Sequence, residues 1–230
     1  QIQEKFKEYG FNLSERQVDQ FEEYFNFLVS ENRKYNLTAI TEPQDVIIKH
    51  FIDSVLPEKS LPKNASVVDV GSGAGFPGLP LKILRPDIKL TMIDSLQKRV
   101  NFLEQLCARL SLTDTRALHC RAEDFAMSHR EKFDVALSRA VANVATLAEY
   151  LLPLVKVGGI ALMYKSARVN EEISESGNAI PLLGGKISQL LSFSLTEVQS
   201  ERKIVEVQKI SRTPEKYPRG KNLPKLKPLK

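Results

Sequence analysis

Apolar residues recur at two different periods along this chain. After Ser14, Val18, Phe21, Tyr24, Phe25 and Leu28 fall at helical spacing, and Ser14 with Gln17 has the form of a capping box that opens the helix. A second start signal combines Thr41, Pro43 near the first turn and Gln44, and predicts a helix through Ile47, Ile48, Phe51 and Val55. Pro57 and Pro62 then bracket a linker. From Ser66 the pattern changes to short Val- and Ile-rich runs alternating with helical segments, which predicts βα units on a parallel sheet. The expected strands lie at about 66–70, 88–93, 115–119, 133–138 and 159–165, with helices at about 77–84, 95–110 and 141–155. Gly158-Gly159 reads as the turn into the fifth strand. KISQLLSFSL and ERKIVEVQKI form two further β-rich runs that a hairpin would add as an antiparallel edge, while 166–185 is polar, with Glu171-Glu172 in a short helix.

Three segments follow: a helical extension (1–63), an α/β domain (64–211) and a basic, proline-rich tail (212–230). The tail holds seven Lys and Arg against Glu215 alone, and prolines at 214, 218, 224 and 228 predict neither a helix nor an inner strand there. Over 230 residues, a net charge of +5 and a pI near 9.1 point to an anionic partner. No apolar run reaches the roughly 20 residues of a membrane span. The first residues carry no apolar export segment, so the expectation is cytoplasmic. Cys107 and Cys120 lack paired spacing and read as reduced packing residues. The three histidines lack ligand spacing, so no metal is expected.

The chemistry concentrates at VVDVGSGAGFPG, residues 67–78. The loop at Gly71, Gly73 and Gly75 sits between a strand and a helix, where backbone N–H groups can face a ligand. Gly73 to Gly78 also satisfies the dinucleotide pattern G-x-G-x-x-G, so a nicotinamide cofactor competes with S-adenosylmethionine. Charge separates the two: a carboxylate at Asp69 suits a ligand with an ammonium and a sulfonium and repels a pyrophosphate. Asp94, about 20 residues on, can grip ribose hydroxyls. The stretch from Cys120 through Ala122 and Glu123 to Asp124 offers an amide and a carboxylate to an adenine edge. A methyl donor is favoured.

With these residues assembled, the sequence resembles the class I, Rossmann-like methyltransferases and, more narrowly, the ribosomal RNA small subunit methyltransferase G family. The matching stretches are Tyr35-Asn36-Leu37-Thr38, His50-Phe51-Ile52-Asp53-Ser54, Asp69 to Gly78, Asp94-Ser95 with Lys98-Arg99, Arg121-Ala122-Glu123, Ser138-Arg139-Ala140 and Lys216-Tyr217-Pro218-Arg219. The resemblance implies a mostly parallel seven-stranded sheet with flanking helices. It implies methyl transfer from S-adenosylmethionine to N7 of a guanine in the decoding-centre loop of bacterial 16S rRNA, with donor contacts at Gly71, Phe76, Ala122, Glu123 and Arg139. The expected partner is 16S rRNA or the small ribosomal subunit, and the expected state a monomer.

Guanine N7 carries no proton, so no general base is expected and Arg139 would position an anion, either the donor carboxylate or a target phosphate. A structural salt bridge is its competing role. His50 and Asp53, at i and i+3, form a candidate hydrogen-bonded pair, and Phe76 either stacks on the ligand or covers the helix start. Asn36, His50, Lys165, Lys216, Tyr217 and Arg219 are the candidate RNA contacts, with Tyr217 available for stacking. An NAD-dependent oxidoreductase and a non-catalytic RNA-binding module stand as alternatives.

Overall fold

A computed structural model describes residues 1–140 and 142–230. Seven strands form one sheet: β1 (Ser66–Val70), β2 (Lys89–Asp94), β3 (Thr115–His119), β4 (Phe133–Ser138), β5 (Val155–Lys165), β6 (Gly185–Leu195) and β7 (Ser200–Lys209), in the order β3-β2-β1-β4-β5-β7-β6. The five strands β1 to β5 pair in parallel, and β7 runs antiparallel to both β5 and β6. The chain builds outward from β1 to β3, then crosses back to β4. This reversal opens a crevice at the carboxyl ends of β1 and β4, where open α/β sheets bind ligands.

Helices cover both faces: α1 (Ile2–Glu8), α2 (Glu15–Tyr35), α3 (Pro43–Val46), α4 (Asp53–Val55), α5 (Gly78–Leu84), α6 (Gln97–Arg109), α7 (Ala122–Ser128), α8 (Val144–Leu151), α9 (Val169–Glu175), α10 (Ala179–Leu182) and α11 (Leu223–Leu226). Side-chain alternation divides β1 between the two cores. Val67 joins Phe21, Tyr24, Phe51, Leu79 and Leu103 on the face covered by the N-terminal helices, α5 and α6, whereas Val68 and Val70 join Phe125, Leu147 and Leu151 on the other. The N-terminal helices therefore share a core with the sheet.

The Ser14 capping box is present: Gln17 N donates to Ser14 Oγ at 3.3 Å, and Ser14 N donates to Gln17 Oε1 at 2.9 Å. The second helix starts one residue later than the Thr41 signal, on Glu42 with Pro43 in the first turn and no side-chain cap. A π-helical stretch, Ile47–Ile52, joins α3 to α4. Three further expectations change. The helix expected over 141–155 runs as Val144–Leu151, capped by Asn143, and its expected first residue, Val141, lies outside the described residues. Gly158-Gly159 lies inside β5, where the register against β4 shifts, so this glycine pair makes a bulge rather than a turn. In the proline-rich tail, Leu223–Leu226 is a helical turn, because Pro224 occupies a first-turn position whose N–H has no intrahelical partner.

Candidate functional site

The glycine loop spends its amides within the chain. Gly71 N and Ser72 N donate to Ile93 O at 2.9 and 3.2 Å, Gly73 N donates to Asp94 Oδ2 at 2.9 Å, and Gly75 N and Phe76 N donate to Ser72 O. The expected array of free N–H groups is thus absent, which leaves little to cradle a diphosphate. Tyr24 of α2 holds the loop from behind, its hydroxyl donating to Ala74 O at 2.6 Å. Phe76 stacks between Tyr24, with centroids 5.4 Å apart, and His50, at 4.4 Å. Of the two roles left open for Phe76, this geometry is that of a packed cover over the helix start.

Asp69 is fully buried, and its carboxylate faces Gly78 rather than the crevice. Its Oδ2 accepts from Gly78 N at 2.9 Å, while Oδ1 is buried without a hydrogen-bond partner. Only a residue without Cβ fits at 78, since a Cβ would lie 2.7 Å from Asp69 Oδ2. Burial pushes the Asp69 carboxyl up to about 8, outweighing the Gly78 amide that favours its charge. The charge argument expected of Asp69 therefore fails at this residue. It passes to the two acidic residues that do line the crevice.

The crevice holds a cavity of about 470 Å³, within the range of small-molecule sites. Gly71, Asp94, Ser95, Ala122 and Glu123 line it. Gly73, Gly75, Phe76 and Arg139 stand behind this lining. Both Asp94 oxygens are oriented by backbone amides, Oδ2 by Gly73 and Oδ1 by Leu96 at 3.0 Å, with Arg99 Nη1 3.6 Å from Oδ2, and each keeps a second lone pair. Glu123 is 7% exposed, with Oε1 buried and unbonded 3.8 Å from Arg121 Nε. Ala122 opens α7, so its N–H has no intrahelical acceptor.

A second polar cluster lies under Phe76. Arg139 Nη1 donates to Asp53 Oδ2 at 2.9 Å and to Lys49 O at 3.0 Å, and Nη2 donates to His50 Nδ1 at 2.9 Å. Because a guanidinium only donates, His50 Nδ1 accepts, and the imidazole proton sits on Nε2, bonded to Thr38 Oγ1 at 2.8 Å. Burial, then the Arg139 charge, lowers His50 to about 3. His50 and Asp53 are thus bridged by Arg139 instead of bonding to each other, and the anion facing Arg139 is a carboxylate of this chain. Arg202 from β7 completes the cluster, bonding Asp53 through Nε and Nη2. Sequence reasoning missed Arg202 and the loop contact of Tyr24. Neither carries a local signal, because their partners lie 149 and 50 residues away.

Three expected RNA contacts are corrected. Lys165 is buried, paired with Glu172 at 2.7 Å and with Ala142 O, so its ammonium is spent inside the fold. Tyr217 packs into the core and offers no free stacking face. Arg219 forms a bidentate pair with the fully buried Glu149, at 2.9 and 2.8 Å. Lys216 is exposed over the Tyr217 ring, and Asn36 is exposed as the left-handed C-cap of α2. Burial pushes the Cys107 thiol up to about 12, while Cys120 lines the cavity. Among the described residues, no three His, Cys, Asp or Glu side chains gather where a metal could sit, and no helix is long and apolar enough to cross a membrane.

Solved structures share this architecture at low identity. The crystal structure of M. jannaschii TYW2 in complex with AdoMet superposes with a TM-score of 0.58 at 14% identity, covering 75% of this chain and 80% of that one. An rRNA methylase from Streptococcus thermophilus gives 0.50 at 17%, covering 70% and 95%. Sequence relatives are nearer. Ribosomal RNA small subunit methyltransferase G of Desulforamulus reducens is 45% identical over 232 residues, 99% of this chain and 97% of that protein. The protein of the same name from Bacillus thuringiensis strain Al Hakam is 46% identical over 233 residues, 100% and 98%. The family model described as rRNA small subunit methyltransferase G matches residues 17–205, and with full-length relatives at this identity the chain belongs to that family.

Proposed function

We propose that this chain transfers a methyl group from S-adenosylmethionine to N7 of a guanine in the decoding-centre loop of bacterial 16S rRNA, acting in the cytoplasm as a monomer on the small ribosomal subunit. The observation that carries the donor assignment is the crevice itself: its glycine loop has consumed its amides, and its polar lining includes two carboxylates. A diphosphate finds few loop amides there, and two of the cations in the lining, Arg99 and Arg121, already face Asp94 and Glu123 at 3.6 and 3.8 Å. A nucleoside with an uncharged ribose finds Asp94, whose remaining lone pairs suit two hydroxyls, and Glu123, whose unpartnered Oε1 suits an amino group on the base. Gly71 and Ala122 supply close backbone approach.

The bound donor supplies an electrophilic methyl on a sulfonium. Because N7 offers a lone pair and no proton, this chain is asked to position and exclude water rather than to move a proton. Arg139, Asp53 and His50 hold one another and the Phe76 ring, with Arg139 Cζ 5.1 Å from the ring centroid, so their part is to fix the loop's far side. The exposed lysines of the tail are assigned to phosphates, which predicts binding that weakens as salt rises. The nicotinamide alternative loses its support with the spent loop amides.

The test is transfer of labelled methyl from S-adenosylmethionine to small ribosomal subunits and to naked 16S rRNA, mapped by cleavage at 7-methylguanosine. Label at one guanine of the decoding-centre loop is expected. Absence of label from both substrates would overturn the assignment.

A further inference from the structure

The tail returns to the crevice. Beyond Lys209 the chain is fastened to the helices that flank the cavity at three places. Arg130, just past α7, donates to the carbonyls of Thr213, Pro214 and Tyr217, each at 2.7 Å. Arg219 closes on Glu149 of α8, and Thr146 Oγ1 of the same helix donates to Pro224 O at 2.8 Å. Between the last two fastenings the backbone turns through Lys221 and Asn222, both left-handed with φ of 56° and 60°. Such backbone in two successive non-glycine residues is held by its surroundings.

This turn forms a wall of the cavity. Asn222 and Lys225 line it beside Tyr150, whose hydroxyl points to Asn222 Oδ1 at 3.5 Å and whose pKa is raised by burial and, secondarily, by the Glu123 carboxylate. The end of the cavity assigned to the base is thus ringed by Glu123, Tyr150 and Asn222. Asn222 spends its Oδ1 towards Tyr150, which leaves its amide Nδ2 as a donor, and Lys225 has no carboxylate within 4.0 Å among the described residues. The family match ends at residue 205, so both lie outside the span it covers.

We propose that Asn222 and Lys225 are donor-site residues, and that the strap of residues 219–226 closes the purine end of the cavity. The strap supplies hydrogen-bond donors opposite the acceptor Glu123, the complement that a purine edge with both an amino group and ring nitrogens requires. By linkage, a ligand that touches the docked strap holds it docked. The proposal rests on the S-adenosylmethionine reading above.

Calorimetric titration of the full chain with S-adenosylhomocysteine tests it, using wild type, Asn222→Gly, Lys225→Ala and Lys186→Ala. Glycine accepts the left-handed backbone at 222, and exposed Lys186 on β6 is the control away from the cavity. Losing one hydrogen bond corresponds to weakening by about three- to tenfold, expected for Asn222→Gly and Lys225→Ala and not for Lys186→Ala. Trypsin cleavage after Lys221 and Lys225 should also slow in wild type when the ligand is present. Equal affinities in all four proteins with unchanged cleavage would overturn the strap assignment alone. A wild type that does not bind S-adenosylhomocysteine would overturn the donor reading and the strap with it.

Discussion

Gly75→Ala is the sharpest probe of how the N-terminal helices support the glycine loop. A Cβ at 75 would overlap the Tyr24 hydroxyl and lie 2.8 Å from Leu79 Cδ1 and 3.3 Å from Leu103 Cδ2, on a backbone with φ of +101°. Tyr24 cannot swing aside cheaply, because it is fully buried, stacked on Phe76 and bonded to Ala74 O. The backbone conformation costs an alanine about 1–2 kcal/mol, and overpacking adds about 1–3 kcal/mol. A total of about 2–5 kcal/mol follows, and at 2–4 °C per kcal/mol for a chain of this size a mid-range loss lowers the thermal midpoint by about 7–14 °C. Tyr24→Phe alone leaves the Ala74 carbonyl unpaired and costs about 1–3 kcal/mol. The double variant should lose less than the sum, because the oxygen that blocks the new methyl has gone. Urea unfolding of all four proteins gives the coupling, expected at about 1–2 kcal/mol. Additivity within about 0.5 kcal/mol would refute the claim that this hydroxyl is what reserves position 75 for glycine.

Asp69→Asn should change the pH profile of stability. The native carboxyl titrates near 8 and the unfolded one near 3.8, so the native state holds an extra proton between them, and its contribution, full below about 4, is lost as pH rises to about 8. The variant should therefore gain on wild type by up to about 1.4 kcal/mol per pH unit between pH 5 and 8, levelling above; a flat difference would mean that Asp69 is charged in the fold. His50→Gln tests the opposite slope. His50 stays neutral down to about 3, so wild type loses stability relative to the variant as pH falls below about 6.5, measured by denaturant unfolding at pH 4 to 7. Arg139→Ala should lose methyl transfer yet remain folded, because Arg202 still pairs Asp53, whereas Asp53→Ala strands two guanidinium groups and should cost about 3–5 kcal/mol. Equal thermal midpoints for the two variants would contradict that difference.

The sheet was legible because its Val- and Ile-rich runs state their period locally, and the Ser14 box, the glycine loop and Asp94 were legible for the same reason. What stayed hidden was partnership. The glycines announce a bare backbone, but the destination of their amides depends on Asp94 and Ile93 at the end of the next strand. Lys165, Tyr217 and Arg219 have the chemistry of RNA contacts, yet Glu172, a core pocket and Glu149 claim them across tertiary distance. Gly158-Gly159 has the composition of a turn, and only pairing with β4 makes it a bulge. Pro224 misled through position: proline excludes a helix interior, not a first turn.

The Glu149–Arg219 pair fixes an order of assembly. During synthesis the carboxylate on α8 is made 70 residues before the guanidinium that neutralises it. Until that arginine is available, burying Glu149 leaves a carboxylate without its guanidinium partner, so the helix bordering the crevice cannot settle fully against the sheet. The nascent enzyme thus acquires its finished pocket only after every strand of the sheet has been made.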